Sequence, residues 1–186
     1  KMAGSSEWVG VIQSRLMLWP NKEKINSLGN DTHFLGFGFC RGYNENYNPE
    51  IIKDGVDIFY PSGAAVLFKS EVLKKIGLFD ENYFMYNEDQ DLGWRVWLAG
   101  YKCVLAKNSV VYHKYEFSRS ISKYYFMDKN RIITALKNYK IITLLVFLPA
   151  FVIMELGLFY FSFKNGWVKE KIRVWFLFFK FSFWKK

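Results

Sequence analysis

Cysteine and histidine are scarce in this chain, with two of each among 186 residues. Cys40 and Cys103 have neither the close spacing of a zinc site nor the partners of a disulfide framework. The sequence therefore argues against a disulfide-rich secreted domain and against a cysteine-rich metal module. A reduced compartment is the default expectation for a chain with this cysteine usage.

Acidic residues are also in deficit, with 17 Asp and Glu against 26 Lys and Arg and a net charge of +9. A basic chain can bind nucleic acid or an anionic membrane surface. No recognised nucleic-acid motif is present, and basic residues flank an apolar C-terminal segment, a pattern typical of contact with anionic lipid head groups. We therefore expect membrane lipids, and no nucleic acid, as partners of these side chains: Lys123, Lys129, Arg131, Lys137, Lys140, Lys164, Lys169, Lys171, Arg173, Lys180, Lys185 and Lys186.

The apolar residues are most concentrated in residues 141–163, which contain a single charge, Glu155. As a helix this segment would be roughly 34 Å long, which is enough to cross a bilayer core of about 30 Å. Residues 167–184 mix aromatic side chains with lysines, as an interfacial helix does. We expect residues 139–186 to form a membrane-associated helical tail, either as a single span or as a re-entrant hairpin.

The chain ahead of this tail, residues 1–138, alternates predicted strands and helices. Short helices are predicted from Ser70 and from Glu88, each ending near a glycine. The surrounding periodicity predicts strands at 8–18, 56–60, 64–68, 102–106 and 109–113, with a hairpin at 34–39. This alternation predicts an α/β layer.

Three acids open the second predicted helix, and a histidine ends the last predicted strand. A carboxylate at a helix N-terminus is stabilised in its ionised form by the backbone dipole, so Asp89 is a candidate general base. Its neighbours Glu88 and Asp91 repel it and raise one pKa within the group. Acids at this position also serve as ordinary helix caps, and His113 needs oxygen partners before it can hold a metal. The cluster alone leaves both interpretations open.

Two familiar metal-binding motifs are matched only in part. Residues 80–91 have the length of a calcium-binding loop, but Met85 stands where that loop requires glycine. Asp89-Gln90-Asp91 spells the D-x-D motif that holds a nucleotide diphosphate through a metal. That motif normally ends a buried strand, whereas here it begins a helix, so we do not assign it that role.

Several short motifs follow one another in residues 62–113: SGAA at 62–65, GLFDE at 77–81, YNEDQDL at 86–92, Arg95, AGY at 99–101 and VYH at 111–113. Together they resemble the second half of an inverting family 2 glycosyltransferase, near its rhamnosyltransferase-like branch with a GT-A fold. The resemblance extends from about Val9 to Asn138. It implies a partial GT-A layer, followed by hydrophobic membrane-associated helices.

The resemblance also implies roles for individual residues. Asp89 falls on the catalytic base, and His113 falls on a ligand of a divalent metal, Mn²⁺ or Mg²⁺. The donor-sugar and acceptor pocket would be shaped by Gly63, Ala64, Glu88, Asp91 and Arg95. The implied reaction is a single displacement, in which an acceptor hydroxyl attacks a nucleotide sugar and the nucleoside diphosphate leaves.

The chain departs from the family pattern in two respects. The N-terminal half that carries the nucleotide-binding strands is absent, so we expect a truncated enzyme that is inactive alone. The Q-x-x-R-W motif of processive synthases does not follow Gln90, which favours single addition. The expected acceptor is a lipid-linked or cell-surface glycan of cell-wall or polysaccharide biosynthesis, with the catalytic part on the cytoplasmic side of the membrane. The alternative is a non-catalytic, membrane-anchored remnant or a module that binds a glycan or a partner.

Overall fold

A computed structural model describes residues 7–114 and 121–179 of the chain. They fall into two compact units. The first, which we call the sheet unit, contains residues 7–81 and 88–114; the second, the helical unit, contains residues 82–87 and 121–179.

The sheet unit is built around a long central strand, β1 (Val9–Leu18). Its parallel neighbour along almost its whole length is the last strand, β7 (Lys102–His113). On its other edge β1 pairs antiparallel with β2 (Ile25–Ser27) near one end and with β6 (Val66–Phe68) near the other, while β5 (Asp57–Ile58) pairs antiparallel with β7. A separate hairpin joins β3 (Asn30–Thr32) to β4 (Gly38–Cys40).

Two helices lie between β6 and β7 in the chain. They are α1 (Ser70–Ile76) and α2 (Glu88–Leu98), separated by a loop with a 3₁₀ turn at Glu81–Tyr83. Their apolar residues bury Val72 and Val96 against the sheet. The remainder of this core comes from strand and loop side chains: Val11, Met17, Ile25, Leu28, Ile58, Cys103 and Leu105.

The helical unit consists of α3 (Ile121–Asn138), α4 (Ile141–Lys164) and α5 (Val168–Phe179). Helix α3 packs against α5, and α5 packs against α4. The side chain of Asn130 in α3 donates hydrogen bonds to the backbone carbonyls of Tyr83, Met85 and Tyr86, and thereby holds residues 82–87 in this unit.

The predicted α/β class is confirmed in its general form, a mixed α/β fold whose sheet contains a parallel pair. The strands predicted at 102–106 and 109–113 are one strand, β7, whose register against β1 shifts between Ala106 and Val110. The strand predicted at 64–68 is shorter, and its central residue Leu67 is 58% exposed because β6 lies on the outer edge of β1. The compact units separate before α3, whereas the sequence suggested a division after residue 138, because α3 packs on α5.

Candidate active site

The carboxyl group of Asp89 lies in the first turn of α2, facing the turn that follows β5. The backbone N–H of Gly63 donates a hydrogen bond to Oδ2 of Asp89, with an N···O distance of 3.2 Å. The backbone N–H of Gln90 donates to Oδ1 at 2.8 Å. Two predicted site residues, Asp89 and Gly63, are thus brought together across 26 residues of sequence.

The electrostatic setting of Asp89 favours its neutral form more than the sequence suggested. Burial raises the pKa of Asp89 from its usual 3.8 to about 7, and repulsion from Glu88 adds to this rise. The N–H groups of Gly63 and Gln90 stabilise the carboxylate and offset only part of it. The sequence indicated two opposing effects, the helix dipole and repulsion among the acids; desolvation, which it did not indicate, is the largest cause of the raised pKa. A group with a pKa near 7 can both accept and release a proton at neutral pH.

Glu88 adds a second carboxylate beside Asp89. Its Oε2 atom is buried and has no hydrogen-bond partner among the residues that the structure describes. Buried oxygen atoms are normally hydrogen-bonded, and an unsatisfied one needs an explanation. A hydroxyl group of a bound ligand would supply the missing donor.

A buried polar network that the sequence analysis missed supports the turn at Gly63. Gln13 is fully buried in β1, and its Oε1 accepts a hydrogen bond of 2.6 Å from the backbone N–H of Ser62. The Nε2 of the same amide donates to Oγ of Ser27 at 3.3 Å, and that hydroxyl donates to Oδ1 of Asn30 at 2.8 Å. Gln13 is a polar residue inside an apolar strand, which is the one sequence feature that could have indicated its role.

The residue after Asp89 fixes the β3–β4 hairpin beside the site. Nε2 of Gln90, a fully buried residue, donates to Oγ1 of Thr32 at 3.0 Å and to the carbonyl of Gly36 at 3.1 Å. The hydroxyl of Tyr60 lies so close to Gly38 that a Cβ on that glycine would be 2.2 Å away from it. Burial and the nearby Asp89 raise the pKa of Tyr60, which keeps its phenol neutral. The site therefore has a wall of neutral hydrogen-bonding groups.

Gly93 sets the position of α2 against the strand end. A Cβ added there would lie 2.3 Å from Cβ and 2.8 Å from Cα of Tyr60. Real Cβ atoms do not approach that closely, so only glycine permits this packing. The close approach places Asp89, one turn earlier on the same helix, within reach of Gly63.

Asp91 and Arg95 make contacts of a different kind. Asp91 is fully buried and accepts a hydrogen bond of 2.9 Å from Nε of Arg95. The guanidinium also donates to the carbonyl groups of Ile76 and Leu78, at 2.7 and 2.9 Å. The observed contacts of this pair fix the end of α1 and the following loop. A role for either residue in an acceptor pocket stays a prediction, as it does for Ala64, whose N–H donates to Oγ of Ser62 at 3.4 Å.

His113 ends β7, as predicted, and lies opposite Leu18 of β1. Its Nδ1 is 3.0 Å from Oδ1 of the buried Asn26, so in the tautomer that this oxygen favours Nδ1 carries the proton. Within 7–114 and 121–179, no three His, Cys, Asp or Glu side chains come together as a metal site would need. These residues by themselves do not fit a bound Mn²⁺ or Mg²⁺, and His113 as a metal ligand stays a prediction.

No protein-family model matches the chain. Two curated proteins of Mycobacterium tuberculosis, from strains CDC 1551 / Oshkosh and ATCC 25618 / H37Rv, are each 42% identical to it over 52 residues. Both are named N-acetylglucosaminyl-diphospho-decaprenol L-rhamnosyltransferase. The match covers 28% of this chain and only 17% of the length of each relative. The likeness is therefore to a short segment of two glycosyltransferases.

Proposed function

We propose that this chain carries the base-bearing part of an inverting, family 2-like glycosyltransferase with a GT-A layer, which works at a membrane. It would transfer a sugar from a nucleotide-sugar donor to a hydroxyl group of a lipid-linked or cell-surface glycan. The observation that carries the proposal is the carboxyl group of Asp89, held by the N–H of Gly63 and given a pKa of about 7 by burial. The partial likeness to two rhamnosyltransferases supports the same chemistry.

In the proposed reaction, the carboxylate of Asp89 accepts the proton of the acceptor hydroxyl. The acceptor oxygen then forms a bond to the anomeric carbon, while the bond from that carbon to the diphosphate breaks. The electron pair of the broken bond leaves with the nucleoside diphosphate, and the anomeric configuration inverts. The pKa of Asp89 suits this role because a general base works best when its pKa is near the operating pH.

The contacts around Asp89 suggest how the acceptor would be held. The N–H of Gly63 occupies one oxygen of the carboxylate and so fixes its direction. The unsatisfied Oε2 of Glu88 would accept a hydrogen bond from a second acceptor hydroxyl. Two adjacent carboxyl groups, one accepting a proton and one orienting the sugar, are suited to a polyol acceptor.

The membrane part of the proposal depends on α4. This helix has 24 residues and a mean hydropathy of 2.4 over its most apolar window, and it is long and apolar enough to cross a membrane. The lipid-linked acceptors of the two relatives' names would be used at such a surface. We place the catalytic part on the cytoplasmic side, where nucleotide sugars would be available.

The test uses the full-length protein as encoded, reconstituted in vesicles that contain polyprenyl-diphospho-N-acetylglucosamine. Transfer from radiolabelled dTDP-, UDP- and GDP-sugars is measured by extraction of the lipid product. Asp89→Asn should lower kcat at least about 100-fold, since general bases contribute 10²–10⁴-fold. Glu71→Gln is the matched control, because Glu71 is an exposed acid in the first turn of α1.

Unchanged turnover in Asp89→Asn would contradict the assignment of the base. A wild-type protein that transfers no sugar from any of these donors would contradict the enzymatic proposal. That result would favour the alternative, a membrane-anchored module that binds a glycan without catalysis.

A further inference from the structure

We propose that the helical unit binds one hydrocarbon chain of a membrane lipid in a cavity between α3, α4 and α5. This inference rests on the membrane placement proposed above and concerns a site that the sugar-transfer chemistry does not use.

The cavity has a volume of about 600 Å³. This falls within the range of roughly 300–1,000 Å³ that is typical of small-molecule sites. Its walls are aliphatic and aromatic, with Ala135 and Leu136 from α3, Leu148 and Phe151 from α4, and Trp175 and Phe179 from α5. Such a wall selects for an apolar occupant, because a polar group placed there would lose its hydrogen bonds to water.

The polar atoms in this wall are already engaged by the protein. Among the described residues, Glu155 is the one charged residue in this wall, and its Oε1 accepts a hydrogen bond from Nη2 of Arg131. Its Oε2 accepts from Nζ of Lys171 at 2.7 Å and from Nε1 of Trp175 at 2.8 Å. Arg131 and Lys171 in turn share Asp128, at 2.8 and 2.7 Å. Glu155 therefore offers little to a polar ligand and serves to hold α4 against α3 and α5.

The cavity is open to the same medium as the exposed face of α4. Two residues of its wall, Leu156 and Phe179, are 64% and 85% exposed. No residue in the most apolar 18-residue stretch of α4 is buried within the unit. In water this surface would be unfavourable, whereas in a bilayer it would be surrounded by lipid chains. The medium that suits the outside of α4 thus also supplies the occupant of the cavity.

A lipid chain fits this cavity better than a peptide does. A peptide would bring backbone N–H and C=O groups that need partners, and an apolar wall supplies none. The exposed charge of the unit agrees with a lipid, because five basic residues are exposed and no Asp or Glu of residues 123–179 is; the five are Lys137, Lys140, Lys164, Lys169 and Arg173. Such an excess of basic residues attracts anionic lipids to the surface from which the chain would enter.

The test is photolabelling of the full-length protein in vesicles of phosphatidylcholine and phosphatidylglycerol. A small fraction of the phosphatidylcholine carries a diazirine near the end of one acyl chain. After illumination, adducts are assigned to residues by mass spectrometry, and vesicle binding is measured separately by cosedimentation. We expect adducts to concentrate on the residues of the cavity wall and to be sparse on Ile153, which is 71% exposed on α4 and outside the cavity.

Leu136→Phe adds volume inside the cavity at a residue that is 39% exposed. It should lower adducts on the wall about tenfold, which corresponds to about 1.4 kcal/mol of lost binding. Ile153→Phe is the matched control and should leave the adducts unchanged, with both variants cosedimenting like the wild type. Leu148→Phe repeats the test from α4 if Leu136→Phe loses its helical circular dichroism.

Two results would overturn the proposal. Adducts that are as dense on Ile153 as on the wall, in a protein that cosediments, would show surface contact with lipid only and would leave the membrane proposal standing. Failure of the wild type to cosediment with the vesicles would overturn both proposals together.

Discussion

The two units of the chain distribute their polar and apolar residues in opposite ways. In the sheet unit, the core contains apolar side chains such as Val11 and Ile58, which are at most 1% exposed. In the helical unit, Arg131 and Lys171 are at most 2% exposed, while Phe163 of α4 is 70% exposed. The sheet unit buries mainly apolar side chains, with Asp91 paired to Arg95 as a buried charge, whereas the helical unit buries several charges and presents hydrocarbon to its surroundings.

The difference shows which solvent each unit is suited to. Apolar surface is driven inward only when the surroundings are water. A helix that meets lipid gains nothing by hiding its apolar side chains, and its few charges then turn inward and pair with one another. The arrangement in the helical unit is what membrane contact of α4 would require. The sheet unit follows the ordinary rule for a domain in water.

The largest effect is expected from breaking the cluster of buried charges in the helical unit, which consists of Asp128, Arg131, Glu155 and Lys171. Lys171→Met removes a fully buried cation shared by Asp128 and Glu155. Loss of one partner of a buried ion pair costs about 3–5 kcal/mol, so the unfolding midpoint of the helices in detergent, followed by circular dichroism, should fall markedly. Lys169→Met, two residues away on the exposed side of α5, should change it by less than about 0.5 kcal/mol. Equal effects of the two variants would mean that the cluster adds no specific stability.

An intermediate effect is expected from overpacking the sheet unit. Gly93→Ala forces a methyl group into Tyr60, and overpacking of this kind costs about 1–3 kcal/mol. Gly63→Ala is the matched control, since a Cβ there would meet no atom within 4 Å. Chemical denaturation followed by tryptophan fluorescence should separate the two variants. A stable Gly93→Ala protein would show that α2 can move away from the strand end.

A pH-dependent effect is expected at Asp89, a carboxyl group of the sheet unit whose ionised form is destabilised by folding. The pKa of Asp89 is raised on folding to about 7 from the usual 3.8. The folded state therefore binds this proton more tightly, and the resulting stability is complete below about pH 4 and lost as the pH rises through 7. Asp89→Asn should raise the thermal midpoint relative to the wild type by more at pH 8 than at pH 5. A difference that does not depend on pH would contradict the raised pKa.

Local sequence patterns predicted the elements that frame the candidate site. The apolar run before Pro20 marked β1, the acids after Asn87 marked the start of α2, and His113 was placed at the end of the last strand. Each of these features depends on neighbours within a few residues, which is the range over which periodicity and capping act.

The features that the sequence did not reveal depend on contacts between distant segments. Gln13 meets the N–H of Ser62 across 49 residues, and Gln90 meets Thr32 across 58. The rise in the pKa of Asp89 follows mainly from burial, whereas the sequence indicated only repulsion from the neighbouring acids.

For the helical unit, one prediction from the sequence is confirmed and another is wrong. The length of the apolar run predicted α4 almost to its ends, Ile141–Lys164. The segment predicted at 167–184 is a helix over Val168–Phe179, with residues 180–184 outside the described part, and its interfacial location stays a prediction. Four of the basic residues that were assigned to lipid head groups are buried instead, namely Lys123, Lys129, Arg131 and Lys171. Arg131 and Lys171 are buried because each meets a carboxylate on another element of the unit.

The first turn of α2 has a consequence for changes in chain length. Successive residues of a helix point about 100° apart, and here three consecutive ones serve different partners: Asp89 the turn at Gly63, Gln90 the β3–β4 hairpin, and Asp91 the guanidinium of Arg95. Inserting or deleting one residue just before this turn would give every partner the wrong side chain. Loops ordinarily accept such changes, but a change of length at this point is expected to disrupt all three contacts together.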